Sequence, residues 1–181
     1  MNVLPGGLEG LVVVEPQVFR DDRGFFLEPY NAVRYKSCGI GVDFVQDNHS
    51  FSTRGVLRGL HFQTSPGQAK LLRCGRGCIW DVAVDIRPHS STFGKWWGIE
   101  LDSQSHRQLF IPVGFAHGFC VLSEEAEVLY KCSSVYDPTT ETGIAWDDPE
   151  IGVAWPVSDP IVSARDKGNQ SFAQFRARLG A

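Results

Sequence analysis

The sequence has no apolar run near the roughly 20 residues that a bilayer-spanning helix needs, so no membrane association is expected. Its longest early run, Leu11-Val12-Val13-Val14, is flanked by Glu9 and Glu15 and follows no basic segment, so no secretory signal peptide is expected either. Cysteine is sparse: Cys38, Cys74, Cys78, Cys120 and Cys132 are odd in number and lack zinc-site spacing. Reduced, mostly buried thiols in a cytoplasmic protein are the expectation. Excess positive charge is missing, and a net charge of -4 argues against general nucleic-acid binding. Internal repeats, low-complexity tracts and interdomain linkers are also missing, which leaves one domain over residues 1–181. One local absence is informative. From Asn48 to Trp80 there is no Asp or Glu, yet Arg54, Arg58, Lys70, Arg73 and Arg76 fall there. Such a stretch describes either a site for a small anion such as a diphosphate or solvated charges that keep strand edges from pairing.

What is present is mostly β pattern. Hydrophobic residues make up 43% of the 181 positions, enough for a sizeable core. Trp80–Ile86 alternates strictly, with Trp80, Val82, Val84 and Ile86 on one face and Asp81, Ala83 and Asp85 on the other. Further strands are predicted over Leu11–Glu15, Phe25–Glu28, Val42–Gln46, Val56–Gln63, Ala69–Cys74, Trp96–Leu101, Gln108–Ile111, Gly118–Leu122 and Val128–Val135. Turn residues such as Asp22-Arg23-Gly24, Ser65-Pro66-Gly67 and Gly75-Arg76-Gly77 separate them. Many short strands at this spacing predict a jelly roll or barrel. Helix is expected only over Asn31–Ser37 and at the C-terminus over Gln170–Leu179, where Phe172, Phe175 and Leu179 share one face.

Three segments carry residues suited to chemistry. In Arg58-Gly59-Leu60-His61-Phe62-Gln63, a period of two puts His61 on one face with Leu57, Gly59 and Gln63, and Gly59 leaves room beside the imidazole. The same pattern describes a core histidine held by one hydrogen bond. Tyr130 follows the acidic turn Ser123-Glu124-Glu125. A phenol, with a pKa of about 10, can donate a proton when suitably placed, and it can equally be a core group with a satisfied hydroxyl. Asp166, in Ser163-Ala164-Arg165-Asp166, could fix the tautomer of an imidazole or serve as a helix cap or turn residue.

Pro112-Val113-Gly114-Phe115-Ala116-His117 resembles the second motif of the cupins, whose histidine points into a barrel. Metal-binding cupins add a His-x-His pair and a Glu from a first motif. Here that region offers only His61-Phe62-Gln63, while His49, His89 and His106 lie in other contexts, so no metal site is expected.

Together the motifs resemble those of the dTDP-4-dehydrorhamnose 3,5-epimerase family. The resemblance runs nearly end to end, through Asp22–Glu28, Gln46–Ser50, Leu57–Gln63, Gln68–Leu72, Asp81–Arg87, Ser91–Trp96, Ile111–Phe119, Tyr130–Cys132, Trp146–Pro149, Trp155-Pro156 and Ser163–Asp166. It implies an all-β cupin, a double-stranded β-helix jelly roll with a few short helices and a C-terminal helix. It also implies a homodimer that uses no metal or organic cofactor. The implied activity is epimerisation at carbons 3 and 5 of dTDP-4-dehydro-6-deoxy-D-glucose, a dTDP-linked 4-keto-6-deoxy sugar, to dTDP-4-dehydro-L-rhamnose.

By motif position, the resemblance makes His61 the base, Asp166 its partner, Tyr130 the acid on the opposite sugar face and Lys70 the group near the carbonyl oxygen. It places Arg23, Glu28, Gln46, Asp47, Asn48, Arg58, His117, Glu141 and Arg165 in nucleotide-sugar binding, with Tyr136 and Phe25 packing near the base or sugar. Arg165 stands where a lysine is more usual in the family, which keeps the charge and changes its geometry. Other readings share parts of the pattern: a mono-epimerase at carbon 3 or carbon 5, a ketoisomerase, a non-catalytic nucleotide-sugar binder, and a metal-dependent oxygenase. The set His61, Lys70, Tyr130 and Asp166 argues against the binder, which has no need of an opposed acid and base.

Overall fold

Turn residues cut the chain into short strands, and the apolar residues of those strands collect between two sheets. The protein is described by a computed structural model over residues 1–179; the last two positions of the expected domain lie outside the described residues. In chain order the strands are β1 (Asn2–Pro5), β2 (Val12–Glu15), β3 (Val18–Asp21), β4 (Gly24–Leu27), β5 (Gln46–Thr53), β6 (Val56–Gln63), β7 (Lys70–Arg76), β8 (Cys78–Asp85), β9 (Trp96–Asp102), β10 (Gln108–Ile111), β11 (Phe115–Val121), β12 (Glu125–Cys132), β13 (Glu141–Gly143) and β14 (Ile161–Val162). The helices are α1 (Ala32–Ser37), α2 (Ala164–Lys167) and α3 (Phe172–Leu179). Among the described residues no helix is long and apolar enough to cross a membrane.

One sheet runs β1-β2-β10-β7-β12-β5 and the other β13-β6-β11-β8-β9, with β14 parallel beside β6. Among the described residues all other pairings between these strands are antiparallel, and β3 with β4 forms a separate hairpin. This is the predicted jelly roll. Leu72, Val128 and Leu109 of the first sheet meet Ile79, Phe119 and Leu101 of the second in the central core. Each such fully buried side chain contributes about 1.5–3 kcal/mol. Among the described residues, no residue of β5 joins that core, and from β6 only Val56 packs against it. The space between the sheets is therefore unfilled by apolar side chains where β5 faces β6.

The outer faces are covered by the helices. Phe172 and Phe175 of α3 lie on Leu60, Phe62, Val82 and Val84 of the second sheet. Tyr35 of α1 packs with Val14, Leu71 and Phe110 of the first, and its hydroxyl donates to the Pro29 carbonyl at 2.8 Å. Asn31 caps α1 by accepting from the Arg34 N–H, as Asn does at a helix start.

The structure differs from the sequence expectation in two places that bear on the site. The strand predicted over Val42–Gln46 begins only at Gln46 and runs to Thr53. Val42 and Phe44 instead pack as irregular chain against the cluster around Tyr35. The strict alternation expected along β6 is also broken. His61 pairs with His117 and Arg58 with Phe119, so three steps on β6 oppose two on β11. The extra residue is a β-bulge, a device that re-aims side chains. The room expected at Gly59 is taken up by backbone: a Cβ there would lie 2.6 Å from the Gly118 Cα, in a conformation with φ of +141°. Reciprocally, a Cβ on Gly118 would approach the Arg58 carbonyl to 2.8 Å. Gly118→Ala should therefore force β6 and β11 apart and lower stability by about 1–3 kcal/mol, measured as a reduced urea midpoint with an unchanged slope.

Candidate active site

Where β5 faces β6, the sheets enclose a cavity of about 640 Å³, within the range of small-molecule sites. One wall carries Gln46, Asn48 and Ser50 from β5, Lys70 from β7 and Tyr130 from β12; the facing wall carries Arg58 and His61 from β6 and His117 from β11. The bulge brings Arg58 and His61, three positions apart, to this one cavity.

His61 Nε2 lies 2.7 Å from Asp166 Oδ1, and the second oxygen of Asp166 accepts the Gly59 N–H at 3.2 Å. With the ring proton on Nε2 and donated to Asp166, the neutral imidazole keeps a lone pair on Nδ1. Asp166 reaches this position from α2, which follows β14. The parallel pairing of Ile161 and Val162 with Val56 and Leu57 sets that segment beside β6. Ser163 then caps α2 by accepting the Asp166 N–H at 3.0 Å. Burial pushes the Asp166 carboxyl upward, but the hydrogen bond and charge of His61 and the Gly59 N–H outweigh it and hold it below the usual carboxylate value.

A second buried pair lies on the same wall. His117 Nε2 is 2.8 Å from Asp81 Oδ2, and both residues are almost inaccessible. Burial raises the Asp81 carboxyl and lowers the His117 imidazolium, each opposed by the other's charge. Lys70 is similarly buried, and desolvation lowers its ammonium against the pull of Glu141 and Asp81. Tyr130, on the same sheet as Lys70, faces the wall of His61 and His117, and burial raises its phenol, with Asn48 and Arg58 acting the opposite way. The Asn48 amide also donates to Cys132 Sγ at 3.5 Å. At the rim, Gln46 accepts the Tyr136 N–H at 2.7 Å, and Arg165 pairs with Glu141. Arg58 donates to Ser52 Oγ at 3.0 Å and to the Phe51 carbonyl. Among the described residues no carboxylate forms an ion pair with Arg58 or Lys70. Both cations remain available to an anion.

Four expected residues lie elsewhere. Arg23 is 90% exposed at the tip of the β3–β4 hairpin and pairs with Asp21. Phe25 of that hairpin stacks on His106, with ring centres 4.5 Å apart. Glu28 pairs with Arg34, at 3.0 Å. Asp47 points to the outside of β5, because alternation sends its neighbours Gln46 and Asn48 inward, and it pairs with Lys131 at 2.9 Å. The acid-free stretch divides in the same way. Arg54 and Arg76 pair with Glu124 and Glu125 on the surface, while Arg58 and Lys70 line the cavity. Asp81 is a site residue that the sequence reading did not single out. A signal existed, since an Asp inside a strictly alternating apolar strand must find a buried partner. Among the described residues no three or more His, Cys, Asp or Glu side chains gather as a metal ion would require.

The model of the dTDP-4-dehydrorhamnose 3,5-epimerase family matches residues 6–174 of the chain. The chain belongs to this family. It is 52% identical to a dTDP-4-dehydrorhamnose 3,5-epimerase of Shigella flexneri over 174 residues, covering 95% of this chain and 96% of that one. It is 42% identical to a dTDP-4-dehydrorhamnose 3-epimerase of Streptomyces niveus, covering 97% and 86%. Among solved structures, the dTDP-6-deoxy-D-glucose-3,5-epimerase of Legionella pneumophila, in complex with dTDP-4-keto-L-rhamnose, superimposes with a TM-score of 0.94 at 43% identity, covering 98% and 96%. In this epimerase-family chain, the His61–Asp166 contact carries a pH signature. A carboxyl held below its ordinary value stabilises the fold above that value and loses the effect as pH falls through the folded one. Asp166→Asn should thus lower the urea midpoint at about pH 7, and the deficit should shrink as pH falls below the ordinary carboxylate value of about 4.

Proposed function

We propose that this chain epimerises carbons 3 and 5 of dTDP-4-dehydro-6-deoxy-D-glucose to give dTDP-4-dehydro-L-rhamnose, with His61 as base and Tyr130 as acid. The observation that carries the reading is the placement of His61, paired with Asp166, and Tyr130 on opposite walls of one cavity. The ketone at carbon 4 acidifies the hydrogens on both flanking carbons. His61 Nδ1 takes one of them, the C–H electron pair moves into the ring, and negative charge collects on the ketone oxygen. The imidazolium that forms is stabilised by Asp166, whose depressed carboxyl keeps it ionised.

Lys70 stabilises the enolate oxygen. An ammonium beside a developing charge in a water-poor site is worth more than in bulk water. Inversion then requires a proton from the other face, since return of the same proton restores the starting centre. Tyr130 donates it. A phenol is protonated at neutral pH, as an acid must be, and burial raises this one further. The imidazolium then gives its proton to solvent, the phenolate takes one back, and the cycle repeats at the second carbon. Arg58 binds the diphosphate, for which a guanidinium offers bidentate contacts. Gln46, Asn48, His117, Tyr136, Glu141 and Arg165 shape the rest of the nucleotide-sugar site.

In this reading the enzyme acts in the cytoplasm, in keeping with five free cysteines, and works as a homodimer. The β3–β4 hairpin leaves Phe19, Phe25 and Phe26 exposed, an unusual cost unless a second copy covers them. Arg23 and Glu28 then serve a neighbouring cavity rather than their own.

The decisive measurement is proton magnetic resonance of the 4-keto sugar nucleotide incubated with enzyme in deuterated water. Exchange and inversion at both carbons are expected; inversion at a single carbon would instead make the chain a mono-epimerase, like its 42% identical relative. His61→Ala should lose at least about 100-fold in both exchange and inversion. Tyr130→Phe should lose inversion while still exchanging hydrogen, and activity retained in His61→Ala would refute the base assignment. Metal independence is checked by activity in chelator. The shared site is tested by mixing Arg23→Ala chains with His61→Ala chains. Mixed dimers should regain activity that neither variant shows alone, because one of their two cavities holds both native residues. No recovery, or sedimentation as a monomer, would remove Arg23 from the site.

A further inference from the structure

The edge of β6 that faces away from β11 is covered by two different strands. β14 pairs with it at Val56 and Leu57, and β13 pairs from His61 to Gln63, extended by reciprocal bonds between Leu60 and Ile144. At Gly59 a gap separates these two partners, and two side chains from the α2 segment fill it. Asp166 accepts the Gly59 N–H, and Asn169 Nδ2 donates to the Gly59 carbonyl at 3.4 Å. Gly59 is the bulged position that turns Arg58 and His61 into the same cavity. A buried backbone group without a partner is costly, so these side chains do there what a strand does elsewhere.

The Asn169 amide has a prepared seat. It lies against Gly143, the residue of β13 paired with His61. A Cβ on Gly143 would come within 2.5 Å of Asn169 Nδ2 and 2.6 Å of its Cγ. The segment is also tied down on both sides. The Asn169 N–H donates to the Asp166 carbonyl at 3.3 Å, and the Gln170 carbonyl accepts from the Ala145 N–H at 2.8 Å.

We propose that Asn169 is a positioning residue for the His61–Asp166 pair: by holding the Gly59 carbonyl it fixes the residue whose N–H anchors Asp166 and whose strand aims His61. It does not touch the reacting atoms. The inference rests on the reading of His61 as base, and it predicts a loss in turnover more than in binding. Misplacement of a reacting group by about 1 Å can cost about 100-fold.

The test compares Asn169→Ala and Asn169→Asp with the native enzyme by deuterium exchange into the sugar nucleotide, with the ring-nitrogen resonances of His61 as a second readout. The aspartate keeps the shape and loses the donor. Both variants should lower kcat about 10- to 100-fold with KM changed less than about twofold, and both should shift the His61 ring-nitrogen resonances as the tautomer is released. Gly143→Ala, which pushes into the amide, should reproduce the loss. Combined with Asn169→Ala it should add nothing further, as expected for two residues acting through one contact. If Asn169→Ala fails to fold, Gly143→Ala and Asn169→Asp carry the same test.

A fall in thermal stability with unchanged kcat and unchanged His61 resonances would overturn the proposal and leave Asn169 as scaffolding. Failure of the native enzyme to exchange hydrogen would refute the reading of His61 as base, whereas native exchange with unaffected variants would refute only the role of Asn169.

Discussion

Asp166 spans two groups on one strand. One carboxylate oxygen holds the imidazole of His61 and the other takes the N–H of Gly59, the bulged position of β6. The bulge and the acid–base pair are therefore one construction. Under strict alternation, residues three apart face opposite ways, and Arg58 and His61 would not line the same space. With the bulge, the guanidinium of Arg58 and the imidazole of His61 share a wall. The carboxylate that holds the arrangement is separated from His61 by 105 positions in the chain. It arrives only because β14 lies parallel to the start of β6, and Ser163 starts a helical turn there.

The rest of the site depends on polar residues that interrupt an otherwise apolar interior. Lys70, Asp81 and His117 occupy inward positions on strands whose neighbouring inward residues, Leu72, Ile79 and Phe119, build the core. Burying such groups opposes folding, and their mutual attraction offsets this only in part. The arrangement persists because the apolar packing of both sheet interiors and both helix-covered faces supports it. In the proposed mechanism the desolvation that burdens the fold also raises the Tyr130 phenol and strengthens the contact of Lys70 with a developing oxyanion.

Charge outside the cavity behaves differently. Arg54 and Arg76 meet glutamates on the surface, where ion pairs contribute about 0–1 kcal/mol. Arg58 instead binds neutral acceptors, Ser52 and the Phe51 carbonyl, and so holds a guanidinium ready for an anion without neutralising it. The acid-free stretch thus serves both purposes that its composition suggested, split by which way each side chain points.

Much of the protein was legible in the order of its residues. Turn signals and alternation located most strands, including Val56–Gln63 and Gln108–Ile111 to the residue, and both longer helices. These features are local, since backbone preference and period-two burial act over a few residues. β5 was shifted for a physical reason: its inward residues Gln46, Asn48 and Ser50 line a cavity, so the apolar alternation that marks a strand is absent, whereas Val42 and Phe44 show it without being one. The family motifs pointed to His61, Tyr130, Lys70 and Asp166, but not to Asp81 or Asn169. It took the tertiary structure to decide which of these residues meet. The bulge at Gly59, the gap that Asp166 and Asn169 fill, and the departure of Arg23, Phe25, Glu28 and Asp47 from the cavity all depend on how distant strands pair. Pairing between strands is an energy of the whole fold, which no short stretch of sequence contains.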